Sequence, residues 1–338
     1  MTDLMDRDDA ERMRAVLVRS PGGPEQLYVG TYPKPAPGPN EVLVRVAATA
    51  LNRADLLQRE GKYPPPEGAS PLLGMEMSGV VEGAGRGASR WKAGDRVCGL
   101  LPGGGYAEYV TIHEDLAMPV PPGLDLEAAA AVPEVFLTAF QALHWIARMV
   151  PGSHVLVHAG ASGVGTAAIQ LVRVGGGHAY VTASAGKHAL CLDLGAEAAI
   201  DYRSEDFAAR VREATGGHGA DVVVDFIGAP YLEQNVEALA TDGRIVVLAT
   251  MGGTTVERFN LRPLFRKRGT LATSTLRNRS LEYKIRLSQA FAEYAFPRFA
   301  DGSLQPVVDR VFDLEDVAAA HAYMGENRNA GKIVLRVA

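Results

Sequence analysis

One stretch decides how this chain folds: SHVLVHAGASGVGTAAIQL, residues 153–171. It begins with a β-branched apolar run, turns through a segment dense in glycine, and resumes with apolar residues at helical spacing at Val164, Ala168 and Leu171. This order predicts a strand, a tight turn and a helix, as at the start of a dinucleotide-binding unit.

The turn is a candidate phosphate-binding site. Glycines let backbone N–H groups approach a pyrophosphate closely, and the free amides and dipole of a helix start favour its negative charge. Read as Gly-x-Gly-x-x-Gly, the motif has Gly160 and Gly165 in place but Ser162 at its second position. The candidate binding residues are Gly160, Ser162, Gly163, Val164 and Gly165. The alternative is that the glycines serve only the geometry of an ordinary strand–turn–helix.

The residues that follow alternate between strand and helix patterns. The predicted strands are Ser153–His158, Ala179–Thr182, Ala199–Ile200, Asp221–Asp225, Arg244–Leu248 and Thr270–Thr273. Helices are predicted between them at His188–Leu194, Phe207–Ala214 and Tyr231–Ala240. This alternation predicts a doubly wound parallel sheet, so the fold class is α/β.

The earlier part of the chain has a different sequence pattern. From Arg14, short alternating runs are separated by turns rich in proline and glycine, which predicts an irregular, mostly-β antiparallel barrel. A helix after Ser280 and a final helix and strand are expected to return to this barrel. We therefore predict a tail at 1–12, a mostly-β domain formed by 13–135 and 280–338, and a nucleotide-binding domain at 136–279.

The composition excludes several classes of protein. The chain has 338 residues, of which 47% are hydrophobic, and no apolar run approaches the roughly 20 residues that span a bilayer. Its first residues are acidic where a signal peptide is basic and then apolar, so we expect a cytoplasmic protein with no membrane partner. Its two cysteines suit buried free thiols, and its net charge of -5 argues against nucleic acid as the main partner.

The end of the second strand indicates which cofactor binds. Dinucleotide sites for NAD carry an acid about 20 residues after the glycines, to hold the ribose 2′-hydroxyl. No acid stands there, and Ser184 and Lys187 offer a hydroxyl and a cation that suit a 2′-phosphate. The sequence thus favours NADPH over NADH. The alternative is that Lys187 is a solvated residue in the first turn of a helix.

Several motifs together resemble one known family. They are NRADLLQREGKY at 52–63, GMEMSG at 74–79, LPGGG at 101–105, HAGASGVG at 158–165, Asp201-Tyr202 and GKIVL at 331–335. The combination resembles the zinc-independent quinone oxidoreductases, the zeta-crystallin-like group of the medium-chain dehydrogenase/reductase superfamily. The resemblance extends from about Met13 to the C-terminus.

The resemblance implies a GroES-like catalytic domain built from both ends of the chain, a central Rossmann domain, NADPH as cofactor, and a homodimer or homotetramer. It also assigns residues to the cofactor. Gly160 to Gly165 would contact the pyrophosphate, Ser184, Lys187 and Tyr202 the 2′-phosphate, Thr138 the nicotinamide region, and Asn329 and Lys332 the cofactor edge.

The same resemblance bears on metal binding. Zinc-dependent relatives present three ligands around the substrate, with a fourth coordination position left open. Here the corresponding places hold Asn52, Met75 and Glu134, so we expect no metal site. The eight histidines show no ligand spacing that would replace it.

Two polar residues are candidates to face the substrate, Tyr63 and Asn52. Either could donate a hydrogen bond to a carbonyl oxygen as negative charge builds there. Other roles stay open, because Tyr63 could be a partly buried aromatic beside three prolines and Asn52 could be the N-cap of a short helix.

The sequence leaves three functions to compare. The leading one is NADPH-dependent reduction of quinones, which needs mainly that the nicotinamide and the acceptor be held close together in a dry site. The second is reduction of the double bond of α,β-unsaturated aldehydes or ketones. The third is a nucleotide-binding structural role of the crystallin kind, without relevant turnover.

Overall fold

We analysed a computed structural model of the chain, which describes residues 11–338. The predicted tail at 1–12 therefore lies outside the described residues except for its last two. Of these, Arg12 already belongs to the first strand.

The strands are as follows, with the labels used below. They are β1 (Arg12–Val18), β2 (Leu27–Pro33), β3 (Glu41–Ala50), β4 (Glu76–Ala84), β5 (Arg96–Leu100), β6 (Tyr109–His113), β7 (Met118–Pro119), β8 (His154–Val157), β9 (His178–Ala183), β10 (Ala196–Asp201), β11 (Ala220–Asp225), β12 (Leu239–Val247), β13 (Thr270–Thr273), β14 (Val308–Asp313) and β15 (Lys332–Arg336).

The α-helices are α1 (Arg53–Arg59), α2 (Leu126–Ala130), α3 (Pro133–Phe140), α4 (Gly163–Val174), α5 (His188–Asp193), α6 (Phe207–Ala214), α7 (Leu232–Ala238), α8 (Leu261–Arg266), α9 (Leu281–Ala300) and α10 (Val317–Gly325). Before the parallel sheet, the alanine-rich sequence also predicts one helix over Leu137–Met149, and the structure differs. There α3 ends at Phe140, and the chain continues as a wider π-helix over Gln141–Ile146.

The described residues divide into two compact units. The first contains residues 11–134, 277–300 and 308–338, and the second contains 135–276 and 301–307. Residues 301–307 belong to the second unit, whereas the predicted limits put all of 280–338 in the mostly-β domain. This segment is bonded to Gln170 of α4, whose side chain accepts from the backbone N–H of Gln305 and donates to the carbonyl of the same residue, both at 2.9 Å.

The second unit is built on a six-stranded parallel sheet in the order β10-β9-β8-β11-β12-β13. This is the strand order of a dinucleotide-binding fold, in which the order of the strands along the sheet reverses between the parallel neighbours β8 and β11. Val155, Leu156 and Val157 of β8 are apolar and buried, as expected for a strand covered by helices on both faces. The predicted α/β fold with a doubly wound parallel sheet is confirmed.

The first unit is mostly antiparallel. Its larger sheet runs β14-β15-β3-β4-β5-β7, and β6 pairs with β3 as well. The C-terminal strand β15 pairs with β3, so the end of the chain completes the sheet that its beginning starts. The C-terminal strand thus belongs to the sheet of the mostly-β unit.

Two further expectations concern composition. Both cysteines, Cys98 and Cys191, are buried free thiols, as predicted. Within residues 11–338, no helix has the length and apolar character that crossing a bilayer requires.

Candidate active site

The glycine turn joins β8 to α4. Ser162, which stands where the motif has a glycine, is the N-cap of α4, and its Oγ accepts a hydrogen bond of 3.0 Å from the N–H of Gly165. Serine is among the best N-cap residues because its hydroxyl satisfies an amide that the helix leaves free. The departure from the glycine motif therefore stabilises the helix start that the predicted phosphate site uses.

Two glycines of the turn are required by close packing. A Cβ on Gly165 would lie 2.4 Å from the Ala159 carbonyl oxygen and 2.5 Å from that of Gly160. A Cβ on Gly160 would lie 2.6 Å from the Cβ of Val181 on the neighbouring strand. Such distances are far inside van der Waals contact, so any side chain at either position must distort the turn.

A buried polar network lies behind the turn. His158 is fully buried, with Nδ1 2.9 Å from the Thr182 hydroxyl and Nε2 2.7 Å from Oδ1 of Asn235. The other end of the Asn235 amide donates to Asp225 at 3.0 Å, so its oxygen faces the imidazole and Nε2 carries the proton. Burial lowers the pKa of His158, and the nearby Asp225 carboxylate opposes that shift. The ring is therefore neutral and ties the ends of β8, β9 and β11 together.

Sequence reasoning found no ligand spacing among the histidines and did not single out Thr182, Asn235 or Asp225 as the residues of this network. The available signal was their position, since Thr182 and Asp225 stand at the carboxyl ends of buried parallel strands. That edge of the sheet is where ligands bind in folds of this type.

The predicted 2′-phosphate residues follow two adjacent strands. Ser184 and Lys187 come directly after β9, and Tyr202 comes directly after β10, which pairs with β9 in parallel. Tyr202 is exposed, and the guanidinium carbon of Arg203 lies 5.6 Å from its ring centroid. Arg203 is a second cation at this edge that sequence reasoning missed, although it directly follows the Asp201-Tyr202 pair.

Two other predicted cofactor residues belong to different units. Thr138 is half-buried on α3 in the second unit. Asn329 belongs to the first unit, where its side-chain amide donates to the Gly331 carbonyl at 2.8 Å. Their contacts with a cofactor stay predictions.

In the first unit, Lys332 and Glu76 form a buried ion pair. Glu76 is 0% exposed and Lys332 is 3% exposed. The ammonium Nζ donates to Oε1 of Glu76 at 2.7 Å, to Oδ1 of Asn52 at 2.7 Å and to the Leu51 carbonyl at 2.6 Å. All three ammonium protons therefore have an acceptor, as a buried lysine requires.

Asn52 is occupied within the same network. Its Nδ2 donates to Oε1 of Glu76 at 2.8 Å and to the Ala50 carbonyl at 3.3 Å. It is also the N-cap of α1, which is the structural role that sequence reasoning had kept open. The predicted contacts of Asn52 with substrate and of Lys332 with cofactor stay predictions, and the structure gives both side chains protein partners.

A second buried carboxylate near this pair, Asp55, holds the neighbouring segments in place. It is fully buried and accepts from the N–H of Asn52 at 2.8 Å and from the N–H of Gly74 at 3.0 Å. Burial raises its pKa to about 6, while the two amides and the Lys332 ammonium oppose the shift. The carboxylate therefore titrates near neutral pH.

Tyr63 lies against a cation. The guanidinium carbon of Arg277 is 5.2 Å from the Tyr63 ring centroid, and Arg277 donates to the Pro102 carbonyl and to the Gln58 side chain. Burial raises the pKa of the Tyr63 hydroxyl, and Arg277 partly offsets that effect. Tyr63 is thus a half-buried side chain whose hydroxyl keeps its proton.

Two family models match the chain. Residues 38–122 match the alcohol dehydrogenase GroES-like domain, and residues 194–335 match a family described as zinc-binding dehydrogenase. The synaptic vesicle membrane protein VAT-1 homolog of Rattus norvegicus is 32% identical over 344 residues, which cover 96% of this chain and 84% of that protein. The chain belongs to the medium-chain dehydrogenase/reductase superfamily. The resemblance stated from the sequence is confirmed at this level.

Other members are similar over most of this chain. A mycocerosic acid synthase-like polyketide synthase of Mycolicibacterium smegmatis is 33% identical over 331 residues, or 98% of this chain. The chain spans only 16% of the length of that synthase.

Solved structures of the superfamily superpose closely. A quinone oxidoreductase of Pseudomonas syringae pv. Tomato DC3000 is 32% identical with a TM-score of 0.86, covering 96% of this chain and 100% of that chain. An NAD-dependent alcohol dehydrogenase is 36% identical with a TM-score of 0.86 over the same shares. A mycobacterial protein solved in complex with NADPH is 30% identical with a TM-score of 0.85, covering 96% of this chain and 100% of that chain. The CurK enoyl reductase is 28% identical with a TM-score of 0.83, covering 96% of this chain and 99% of that chain.

The zinc named in one family description does not suit the residues of this chain. At the places of the zinc ligands, the Met75 side chain is buried, and the Asn52 amide is bonded to Glu76 and Lys332. The Lys332 ammonium already supplies the positive charge among these oxygen atoms. Within residues 11–338, no group of three histidine, cysteine, aspartate or glutamate side chains is arranged to hold a metal ion.

We predict that Gly165→Ala disrupts dinucleotide binding. The added methyl group must push the Ala159 and Gly160 carbonyls aside, so the helix start opens and affinity falls by roughly tenfold or more, about 1.4 kcal/mol. Fluorescence titration with NADPH and with NADH measures the change. Gly83→Ala, on β4 of the first unit, is the matched control, because a Cβ there meets nothing within 4 Å. Equal affinity of the Gly165 variant and the wild type would contradict the close-packing argument.

Asp55 and His321 make opposite contributions to the pH dependence of stability. Burial lowers the pKa of His321 to about 3, so its contribution to stability is present above about pH 6.5 and is lost as the pH falls towards 3. The pKa of Asp55 is raised to about 6, so its contribution is present at low pH and is lost as the pH rises through 6. Between about pH 4 and 6 the two effects nearly cancel.

We therefore predict that Asp55→Asn exposes the effect of His321. Relative to the wild type, the free energy of unfolding of the variant falls by about 1.4 kcal/mol for each pH unit between pH 6 and 4. Urea titrations of both proteins at several pH values measure the difference. A difference that does not change with pH would show that Asp55 has an ordinary pKa in the folded protein.

Proposed function

We propose that this chain is an NADPH-dependent, zinc-independent oxidoreductase that reduces quinones. The observation that carries the proposal is the Asn52–Glu76–Lys332 network, in which Asn52, at a place where the resemblance puts a zinc ligand, is hydrogen-bonded to a protein carboxylate and a protein ammonium instead. Without a metal to polarise a carbonyl, the suitable acceptors are those that accept hydride readily, and quinones are of this kind. Quinone oxidoreductases are among the similar structures.

The preference for NADPH rests on the chain's own residues. No acid follows β9, where a site selective for NADH would place one. Ser184, Lys187, Tyr202 and Arg203 lie at the adjacent ends of β9 and β10. Two cations and two hydroxyls there suit a 2′-phosphate. The relatives do not decide the question, since one is described as NAD-dependent and another was solved with NADPH.

The cofactor, when bound, supplies a hydride to the acceptor. Tyr63 is the residue that we place at the acceptor oxygen, because it is half-buried, protonated and next to the Arg277 cation. Its O–H would donate to the oxygen as negative charge develops there, an effect often worth about 3 kcal/mol. Asn52 would border the acceptor as part of the Lys332 network, with its amide orientation fixed by that network.

A second candidate function is reduction of the double bond of α,β-unsaturated aldehydes or ketones. It is favoured by the similarity to an enoyl reductase structure and to polyketide synthases. The same donor at the carbonyl oxygen would serve, with the hydride going to the β-carbon. A nucleotide-binding role without turnover, of the crystallin kind, is the third outcome that the assay can give.

We propose a homodimer or homotetramer as the working state. β13 is an edge strand of the parallel sheet, and Leu271 on it is 42% exposed. Phe265, in the last turn of the preceding helix α8, is 83% exposed. An open edge with apolar side chains is typical of a surface that pairs with another chain.

A panel of acceptors tests the proposed reaction. We expect NADPH oxidation, followed by absorbance of the nicotinamide, with naphthoquinones and other quinones, and a slower rate with enals and enones. Activity with the enal alone would replace the quinone proposal by the second function. Tight NADPH binding with no oxidation across the panel would favour the structural role.

We predict that Lys187→Ala weakens NADPH binding much more than NADH binding. A charge-assisted contact to a phosphate contributes about 1.5 to 3 kcal/mol, so the KM for NADPH should rise by about tenfold or more while that for NADH changes little. Lys92→Ala, which removes an exposed lysine of the first unit, is the matched control. Equal effects on the two cofactors would show that Lys187 does not face the 2′-phosphate.

A further inference from the structure

The second unit has a surface cavity at the edge of its sheet opposite the glycine turn. Its volume is about 510 Å³, and its lining includes His154, Asp221 and Arg244. His154 is the first residue of β8, and the glycine turn follows the last, so the strand separates the two by about 10 Å. Arg244 stands in register with Val222 of β11, which in turn pairs with Val155. The cavity therefore lies where the parallel strands begin, away from the predicted nucleotide site.

Two arginines bring positive charge to this cavity. Arg148, which is exposed, and Arg244, which is half-buried, both line it. Nη1 of Arg244 donates to the carbonyl of Ala147 at 3.0 Å, so this guanidinium lies beside the residue that precedes Arg148. Among residues 11–338 that is the one hydrogen bond of the Arg244 side chain, and the Arg148 side chain has none. Most of their N–H groups are therefore left to bind something else.

The carboxylates at the cavity do not compete for these arginines, because they have partners of their own. Asp242 accepts from Nε of Arg268 at 2.7 Å and from Nη2 of the same residue at 2.5 Å. Asp221 accepts from the backbone N–H of His154 and lies against Nε2 of His218, both at 2.8 Å. The unfilled hydrogen-bonding groups of the cavity are thus mainly cationic donors.

The backbone holds Arg148 in a conformation that usually takes glycine. Its φ is 55°, in the left-handed region where a side chain has a steric cost. It follows the C-cap of the π-helix over Gln141–Ile146, which is the position that glycine most often occupies. Asp242, also at the cavity, has a φ of 64°. Residues kept in this region against their preference concentrate at functional sites.

We propose that this cavity binds a phosphate dianion, as inorganic phosphate or as the phosphate group of a small monoester, held by the guanidinium groups of Arg148 and Arg244. The planar fork of N–H donors on an arginine matches the spacing of phosphate oxygens, and both partners are charged. The cavity has the volume of a small-molecule site, so it has room for the ester part of such a ligand as well.

Histidine-ring NMR of the full chain at constant ionic strength tests the proposal. His154 and His218 line the cavity and act as reporters, each assigned by its loss in a His→Gln variant. We expect their resonances to shift saturably with inorganic phosphate and with glycerol 3-phosphate. Chloride at the same ionic strength should give no saturable shift, since it acts by screening. Tighter binding of the ester would identify a monoester as the ligand, and tighter binding of inorganic phosphate would identify the free ion.

Arg148→Gly separates binding from a structural role. It removes one guanidinium and supplies the residue that the φ of 55° favours. Phosphate affinity should therefore fall by about tenfold or more, while the free energy of unfolding in urea stays unchanged or rises. Arg244→Lys, which keeps the charge and loses the fork, should also weaken binding. Arg86→Ala, which removes an exposed arginine of the first unit, is the matched control.

The predicted cofactor site is also expected to attract phosphate, so the titration is repeated in Lys187→Ala. His188, next to Lys187, reports that edge of the sheet, and the shifts of His154 and His218 should keep their midpoint in this variant. The proposal is overturned if the two reporters show no saturable shift, if Lys187→Ala abolishes the shift, or if Arg148→Gly binds phosphate as the wild type does. These titrations need neither NADPH nor a quinone, so they decide independently of the proposed reaction.

Discussion

A buried ammonium is the constraint on which the first unit depends. The Lys332 ammonium is buried away from water, so each of its three protons needs an oxygen acceptor in the protein. The acceptors belong to Leu51, Asn52 and Glu76. Removing one partner of such a pair leaves an unpaired charge in the interior, which costs far more than the pair itself contributes. The pair therefore fixes the positions of β15, β4 and the start of α1 relative to one another, and with them the segments that the proposed site uses.

The second unit is organised by close approach of backbone. Gly160 and Gly165 leave no space for a methyl group, and the Ser162 hydroxyl accepts from the otherwise free amide of Gly165 in the first turn of α4. His158 also links the strand ends, since its ring bonds to Thr182 and Asn235 and its backbone N–H donates to the Val224 carbonyl of β11 at 3.0 Å. The Lys332 network of the first unit and the His158 network of the second are each held by hydrogen bonds within the protein, which favours preorganised side chains.

Local patterns were sufficient to predict the fold. The alternation of strand and helix, the glycine turn and the short β runs are properties of neighbouring residues, and they predicted the parallel sheet and the barrel. The π-helix after Phe140 and the transfer of 301–307 to the second unit have no such local signal. The second depends on Gln170 meeting backbone at Gln305, a contact between residues 135 positions apart.

The same limit applies to the site. Resemblance named Asn52 and Lys332 separately, but no spacing in the sequence shows that they share Glu76. Arg203 was missed for another reason, since an exposed arginine next to a tyrosine is unremarkable until β9 and β10 are known to be neighbours.

The pairing of Glu76 with Lys332 has a consequence for synthesis. Their 256-residue separation means that a ribosome exposes Glu76 long before its partner exists. The nascent first unit then lacks both the β15 strand and the charge that its interior glutamate needs. Most of the second unit is one continuous segment, 135–276, and can assemble its sheet meanwhile. The first unit can therefore complete its core only after the main segment of the second unit has been synthesised.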